Sequence, residues 1–320
     1  MERSGQKGVA LITALLVVAT AAAAAVAMAA RQQLDIRRTA NLLHNIQANA
    51  YTEGAESWAK VVLQRDAQDS QIDTLNEDWA TSLPPTTVEG GGITGRLVDL
   101  QGLFNLNSLV DGNGQAVEQA ITRYKTLLRN LQIDEGLADA LVDWIDADIN
   151  VHFPDGAEDQ TYLLLKPPYR AANQPMADVS ELRLVQGYTP QIVAALLPYI
   201  VALPVATPIN VNTAPAEVLR TLDANMSQSA AEGLVAAREE TPFNSVAEFQ
   251  SNPALQGGQF DPNAASVSSQ WFRLVAEADI GQARSQLTSE LMRVHGTVTV
   301  VQRDRHLLSP LTGPKPKQKS

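Results

Sequence analysis

Residues Val9 to Ala30 form an uncharged apolar run that starts abruptly after the polar leader Met1 to Gly8 and is closed by Arg31. As a helix this run reaches about 33 Å, enough to cross the hydrocarbon core of a bilayer. Helical periodicity continues beyond it. Leu43, Ile46, Ala50, Gly54, Trp58 and Val61 recur every three or four residues, which predicts one apolar stripe of a helix. No proline occurs before Pro84, so residues 9–66 read as a single helix about 85 Å long, with the stripe from Leu43 to Val61 packed against a domain. Pro84-Pro85 and Gly90-Gly91-Gly92 then punctuate the chain ahead of a strand-like segment, Ile93 to Leu100. Strand signals return much later. Phe272, Leu274, Ala276, Ala278 and Ile280 alternate, Gln286 to Val294 offers a partner, and Thr297 to Val301 is rich in β-branched residues, with turns at Gly281 and Gly296.

Together these segments predict an α+β fold. A long N-terminal helix packs on a four-stranded antiparallel sheet built from residues 67–104 and 266–306, and residues 105–265 form a large all-α insertion. The insertion holds an internal echo, since Gly102-Leu-Phe-Asn-Leu-Asn-Ser108 resembles Pro208-Ile-Asn-Val-Asn-Thr-Ala214 and each leads into helical sequence. Two SAM-like parts are expected. Thr213 reads as the N-cap of the second, with Pro215 and Glu217 in its first turn. The stretch from Ala216 to Phe249 resembles the helix-hairpin-helix modules of DNA-binding proteins, but Leu222 to Ser227 replaces the glycine hairpin that would present amides to phosphate. Asp178-Val-Ser-Glu181 reads as a structural helix start.

Composition narrows the functional classes. The net charge of -11 opposes nucleic-acid binding, because phosphate recognition needs a basic patch and none larger than Lys315, Lys317 and Lys319 in the tail is present. Residues 307–320 read as a disordered basic tail. With no cysteine, disulfides, thiolate metal sites and a cysteine nucleophile are excluded. The apolar run itself has three readings: a signal peptide ending at Ala27-Met28-Ala29, a plain membrane anchor, and a leader cut after Gly8 that leaves the apolar segment on the mature chain. Continuity of the helical pattern past Arg31 favours the last. Lys and Arg flank both ends of the run, so charge alone leaves its orientation open.

The strongest chemical signal is acidic: Asp143-Trp-Ile-Asp146-Ala-Asp148-Ile-Asn150, then Pro154-Asp155-Gly-Ala-Glu158-Asp159. Calcium takes six to eight oxygens, and closely spaced carboxylates with loop carbonyls supply them. Asp146-x-Asp148-x-Asn150 matches the opening of an EF-hand, yet Val151 stands where its glycine belongs and Ala157 where its last glutamate belongs. Two readings stay open from these residues: a calcium site of another kind, and a solvated acidic loop following a helix that ends near Ile145. Catalytic patterns are weak. Asp146 and Asp148 lack a defined cleft, His44, His152, His295 and His306 are scattered, and neither G-x-S-x-G nor a phosphate-binding glycine loop occurs.

Leader Gly8 followed by Val9-Ala-Leu-Ile-Thr-Ala-Leu-Leu16, the Asn-x-Asn entries, the D-x-D and G-A-E-D loop, the N-V-N-T-A segment and the late strands occur in one order. In that order they resemble the type IV pilin-like pseudopilins, and among them the minor pseudopilin protein K family of type II secretion systems. The resemblance implies a non-enzymatic subunit at the tip of the pseudopilus. Prepilin peptidase would cut after Gly8 and methylate Val9. Minor pseudopilins I and J, and indirectly the major pseudopilin G and the secretin, are the implied partners. It also implies a single-pass inner-membrane anchor with a cytoplasmic N-terminus and a periplasmic bulk. Thr13 departs from the glutamate most such proteins carry at that place, which suits a subunit with no other above it. The resemblance favours bound calcium, with Asp146, Asp148, Asp155, Glu158 and Asp159 as ligands and Asn150 as a further one. The alternative from another class is a membrane-anchored periplasmic calcium-dependent hydrolase; activity lost in Asp146→Ala with membrane assembly intact would favour it.

Overall fold

The computed structural model describes residues 6–255 and 260–305; the predicted tail, 307–320, and most of the leader lie outside them. Helix α1 (Gln6–Asp69) is continuous for 64 residues and runs through the Gly8-Val9 junction. Its apolar first part is exposed among the described residues: Val9, Ile12, Val17 and Val26 are all more than 60% exposed.

Beyond α1 lie β1 (Leu83–Val88), β2 (Gly91–Asp99) and four two-residue strands, β3 (Phe104–Asn105), β4 (Ile200–Val201), β5 (Ile209–Asn210) and β6 (Ala265–Ser266). The long strands β7 (Trp271–Ile280), β8 (Ala283–Val294) and β9 (Thr297–Asp304) complete an antiparallel sheet in the order β1-β2-β7-β8-β9. That sheet has five strands where four were expected. The extra one is the Pro84-Pro85 segment, which takes an edge position, where a missing N–H costs no ladder bond; its register shifts between Leu83 and Thr86. At the β1-β2 turn Gly90 has φ +87°, and a Cβ on Gly91 would lie 1.8 Å from the Asp279 carbonyl oxygen, so neither tolerates a side chain.

The predicted alternation in β7 holds: Phe272, Leu274, Ala276, Ala278 and Ile280 are all fully buried against α1. The predicted face of α1 does not. Leu43, Ile46, Ala50, Gly54 and Val61 face solvent and Trp58 is half-buried, whereas Ala48, Thr52, Ala55, Glu56, Ala59 and Leu63 meet the sheet. Small residues let the helix approach the alanines of β7. Both polar positions have partners: Glu56 accepts from Ser289 and from Arg303 at 2.7 Å, and the Thr52 hydroxyl donates to the Asn49 carbonyl of its own helix at 2.9 Å beside the Ser285 hydroxyl. Arg303 is the main cause that holds the Glu56 carboxyl down at about 2.

The inserted helices are α2 (Glu118–Asn130), α3 (Leu137–Ile145), α4 (Asp159–Tyr162), α5 (Pro190–Leu196), α6 (Ala216–Leu219), α7 (Gln228–Glu240) and α8 (Val246–Gln250). The echoed motifs fold alike. Asn107 accepts from the Met176 N–H and donates to its carbonyl, at 2.8 and 2.9 Å; Asn212 does the same to Phe243, at 2.9 Å both ways. Each asparagine thus clamps a distant stretch of backbone by a pair of buried bonds. Thr213 is no N-cap, a place that falls to Pro215. Its hydroxyl instead donates to the buried Asp99 carboxylate at 2.6 Å, as does Ser269 at 2.7 Å. Asn210 joins the same junction, donating to Asp99 and to the Asp73 carbonyl. The insertion is therefore fastened at the far end of α1 and of the sheet.

Candidate metal centre and assembly surfaces

Helix α3 carries Asp139 and Asp143 on one face and ends at Asp146, a spacing of four and three that stacks all three on the same side. They are buried at 0%, 0% and 4% exposure. Asp139 has a counter-charge, Lys125 at 2.7 Å, with His152 at 3.7 Å. Asp143 accepts from the His152 N–H at 2.8 Å through one oxygen, and its other oxygen has no partner. One Asp146 oxygen is likewise unpartnered. So are both oxygens of Glu158, only 2% exposed. Gly156 makes the approach of these segments possible, since a Cβ there would lie 2.3 Å from an Asp143 oxygen and from the His152 carbonyl.

Electrostatics follow from this geometry. Burial, reinforced by Asp148, Asp143 and Glu158, pushes Asp146 up to about 7. Burial first and Asp143 second push Glu158 up to about 7. Burial also raises Asp143. Taking carboxylates out of water without hydrogen bonds or counter-charge is costly. An all-oxygen donor set of this kind suits a hard divalent cation.

Of the expected ligands, Asp146, Asp148 and Glu158 are brought close enough to repel one another. Asp159 sits at the margin, accepting from the Ala171 N–H and facing Arg170 at 3.4 Å. Asn150 is exposed and gives its N–H to Asp148. Asp155 is exposed and lies against Gly136, at the other end of α3. Two further residues with unpartnered buried oxygens, Asp143 and Asn173, were not in the expected set. Asp143 could have been found from its spacing to Asp146. Asn173 could not, being remote in sequence. It adopts φ +46°, donates to the Asp148 carbonyl and takes its own N–H bond to Trp144, leaving its side-chain oxygen buried and unpartnered.

Among the described residues, the acids whose oxygens lie within 4.8 Å of one another as a trio are Asp66, Asp73 and Glu77. That trio is already served. Arg293 bonds Asp66 at 2.6 Å and Asp73 at 2.5 Å, and Glu77 accepts from the Thr74 N–H and the Trp79 indole. It fixes the end of α1 to the sheet and leaves no open ligand set.

At the other end of the molecule the Thr13 hydroxyl donates to the Val9 and Ala10 carbonyls, both at 3.0 Å. Its polar group is consumed within its own helix, so this position offers a neighbour no charge.

Two family models, both described as type II secretion system protein K, match residues 102–205 and 209–268. The type II secretion system protein K of Pseudomonas aeruginosa is 38% identical over 94% of this chain and 93% of its own length. That of Klebsiella pneumoniae is 38% identical over 93% and 96%. Among solved structures, a chain in the crystal structure of the GspK-GspI-GspJ complex from the enterotoxigenic Escherichia coli type 2 secretion system is similar with a TM-score of 0.74. It is 27% identical and covers 84% of this chain and 99% of that one.

Proposed function

Because the chain belongs to the type II secretion system protein K family, we propose that this minor pseudopilin stands at the tip of a pseudopilus, where it helps to start filament assembly and limits further growth. The observation that carries the reading is the likeness, across both sheet and insertion, to a chain solved together with GspI and GspJ. Minor pseudopilins I and J are the direct partners in this reading, and the major pseudopilin G is met through them. Residues 9–30 anchor the chain in the inner membrane before assembly, with the N-terminus cytoplasmic and the bulk periplasmic. Prepilin peptidase cuts between Gly8 and Val9.

Two features suit the tip. Leu43, Ile46, Ala50, Gly54 and Val61 of α1 are exposed away from the chain's own sheet and continue the apolar anchor, so partner helices can bundle along them. Thr13 removes the intramembrane carboxylate that would otherwise draw the terminal amine of a further subunit. Co-expression with I and J tests the reading: a ternary complex retained on this chain is expected, and failure to retain either partner contradicts it.

Calcium completes the proposal. Asp143, Asp146, Asp148 and Glu158 would hold it, with Asn173 beside them, and the unpartnered buried oxygens are the reason they fit. When bound, the ion supplies the positive charge that this cluster lacks, and so orders the loop between α3 and α4. Isothermal titration of the metal-free full chain is expected to give calcium binding that Asp146→Asn abolishes.

A further inference from the structure

Strand β9 comes down α1 towards the N-terminal end of the helix. Arg303 donates to Glu56 at 2.7 and 2.8 Å, and two residues later Arg305 donates to Glu53 at 2.6 Å and to Asn49 at 3.2 Å. The chain is thus pinned to successive turns of one flank of α1 at the point where residues 306–320 begin. Asn49 and Glu53 belong to a longer stripe, since Leu42, Ile46, Asn49 and Glu53 are spaced four, three and four apart and lie one above the other. Below Asn49 that stripe is apolar and exposed among the described residues: Leu42 is 61% exposed, Ile46 57%, and Leu43 beside them 59%. Leu42 lies about 18 Å of helix beyond Ala30, where the apolar run ends, too far for a bilayer holding that run to cover it.

The sequence that follows Arg305 has the chemistry to cover this stripe. It opens His306-Leu307-Leu308-Ser309-Pro310-Leu311, before proline and lysine take over from Pro314 onwards. Proline fixes its own φ and steers the residue before it, Ser309, to extended backbone. A polyproline II course repeats every three residues at about 3.1 Å each, so it would put Arg305, Leu308 and Leu311 on one side at intervals of about 9 Å. On α1 the midpoint of Asn49 and Glu53, then Ile46, then Leu42, follow at about 8 and 6 Å. Leucine and isoleucine side chains are long enough to bring the two rows into contact.

We propose that residues 306–311 lie along α1 as a strap while the chain stands alone, with Leu308 on Ile46 and Leu311 on Leu42, and that partner helices displace it on assembly. The strap shields an apolar face that would otherwise meet water before a partner arrives. It also sets a threshold for assembly, because a partner helix must outcompete it. Displacement rests on the bundling of I and J along this face proposed above; docking of the strap does not.

The chain has no cysteine, so paired cysteine substitutions report contact without background. In full-length protein in lipid nanodiscs, I46C/L308C is expected to form an intramolecular disulfide under mild oxidant, read as a shift on a non-reducing gel. V61C/L308C is expected to stay reduced, although Val61 is exposed and about as far from Glu53 as Ile46 is. Addition of I and J should suppress the first disulfide. Equal cross-linking of both pairs, or of neither, overturns the proposal, and so does a disulfide that joins two copies of the chain. The triple variant L307S/L308S/L311S should hold I and J roughly tenfold more tightly, the gain expected if the strap covers the face about nine-tenths of the time. Unchanged or weaker retention by that variant contradicts the masking role, as does a disulfide that persists undiminished with I and J retained. A chain that forms the I46C/L308C disulfide yet never retains I or J strikes the bundling reading instead, so the two failures are separable.

Discussion

Glu158 and Asp146 carry the sharpest consequence of single side chains. Both carboxyls are pushed up to about 7 by burial and mutual repulsion, so the folded state holds protons that the unfolded chain, with its ordinary carboxyl values, releases at lower pH. Their stabilisation is therefore complete below the unfolded carboxyl values, near 4, and is lost as pH rises from there through about 7. Metal-free protein should lose thermal stability across that interval, and calcium should abolish the loss; equal pH profiles with and without calcium would contradict the assignment. Glu56 acts with opposite sign, but its low value confines that effect to stronger acid. The clamps are a second test at this scale. Asn212→Ala strips both bonds from the Phe243 backbone and should cost about 1–3 kcal/mol in denaturant unfolding. Asn107→Ala should behave alike if the echo is energetic as well as formal. The acidic loop was legible because close carboxylates in a turn are rare without a reason. Its membership was less so: Asp155 shares the loop but points to Gly136, and Asn173 arrives through tertiary contact that spacing does not encode.

At the scale of elements, α1 is the instructive case. Its length and continuity follow from the absence of proline and the unbroken apolar run, but its packing face does not follow from hydrophobicity. Apart from Leu63, the face that meets the sheet is built of alanines with a threonine and a glutamate, and these read as neutral or polar until Ser285, Ser289 and Arg303 are placed opposite them. Leu43, Ile46 and Val61 point outward, where partner helices are proposed to lie, while Leu63 and the half-buried Trp58 pack on the sheet core. Ala59→Leu should overpack the core of α1 and the sheet and destabilise the chain by about 1–3 kcal/mol. Ile46→Ser should leave the isolated chain within about 0.5 kcal/mol of its parent while weakening assembly with I and J. If the two variants exchange behaviours in thermal denaturation, the face has been assigned wrongly. The sheet was largely legible from alternation in β7, because burial on one side forces period two. The edge strand β1 was hidden because its prolines read as a break.

For the whole molecule the decisive feature is how the insertion is mounted. Asp99 pairs with Phe272 across the ladder between β2 and β7, so the chain leaves and re-enters the sheet at neighbouring points. Removing residues 105–265 should therefore leave the five-stranded unit able to fold, while secretion fails and filament length loses its limit; unchanged secretion and filament length would refute a capping role. This modularity was legible in outline, since strand signals at both ends of a helical stretch imply an insertion. The junction of Asp99, Asn210, Thr213 and Ser269 was not, because its members are scattered along the chain. The measurement closest to the central claim is electron microscopy of assembled pseudopili with this chain gold-labelled in its insertion. One label at one end of each filament is the predicted result; labels spaced along the filament would contradict the tip position.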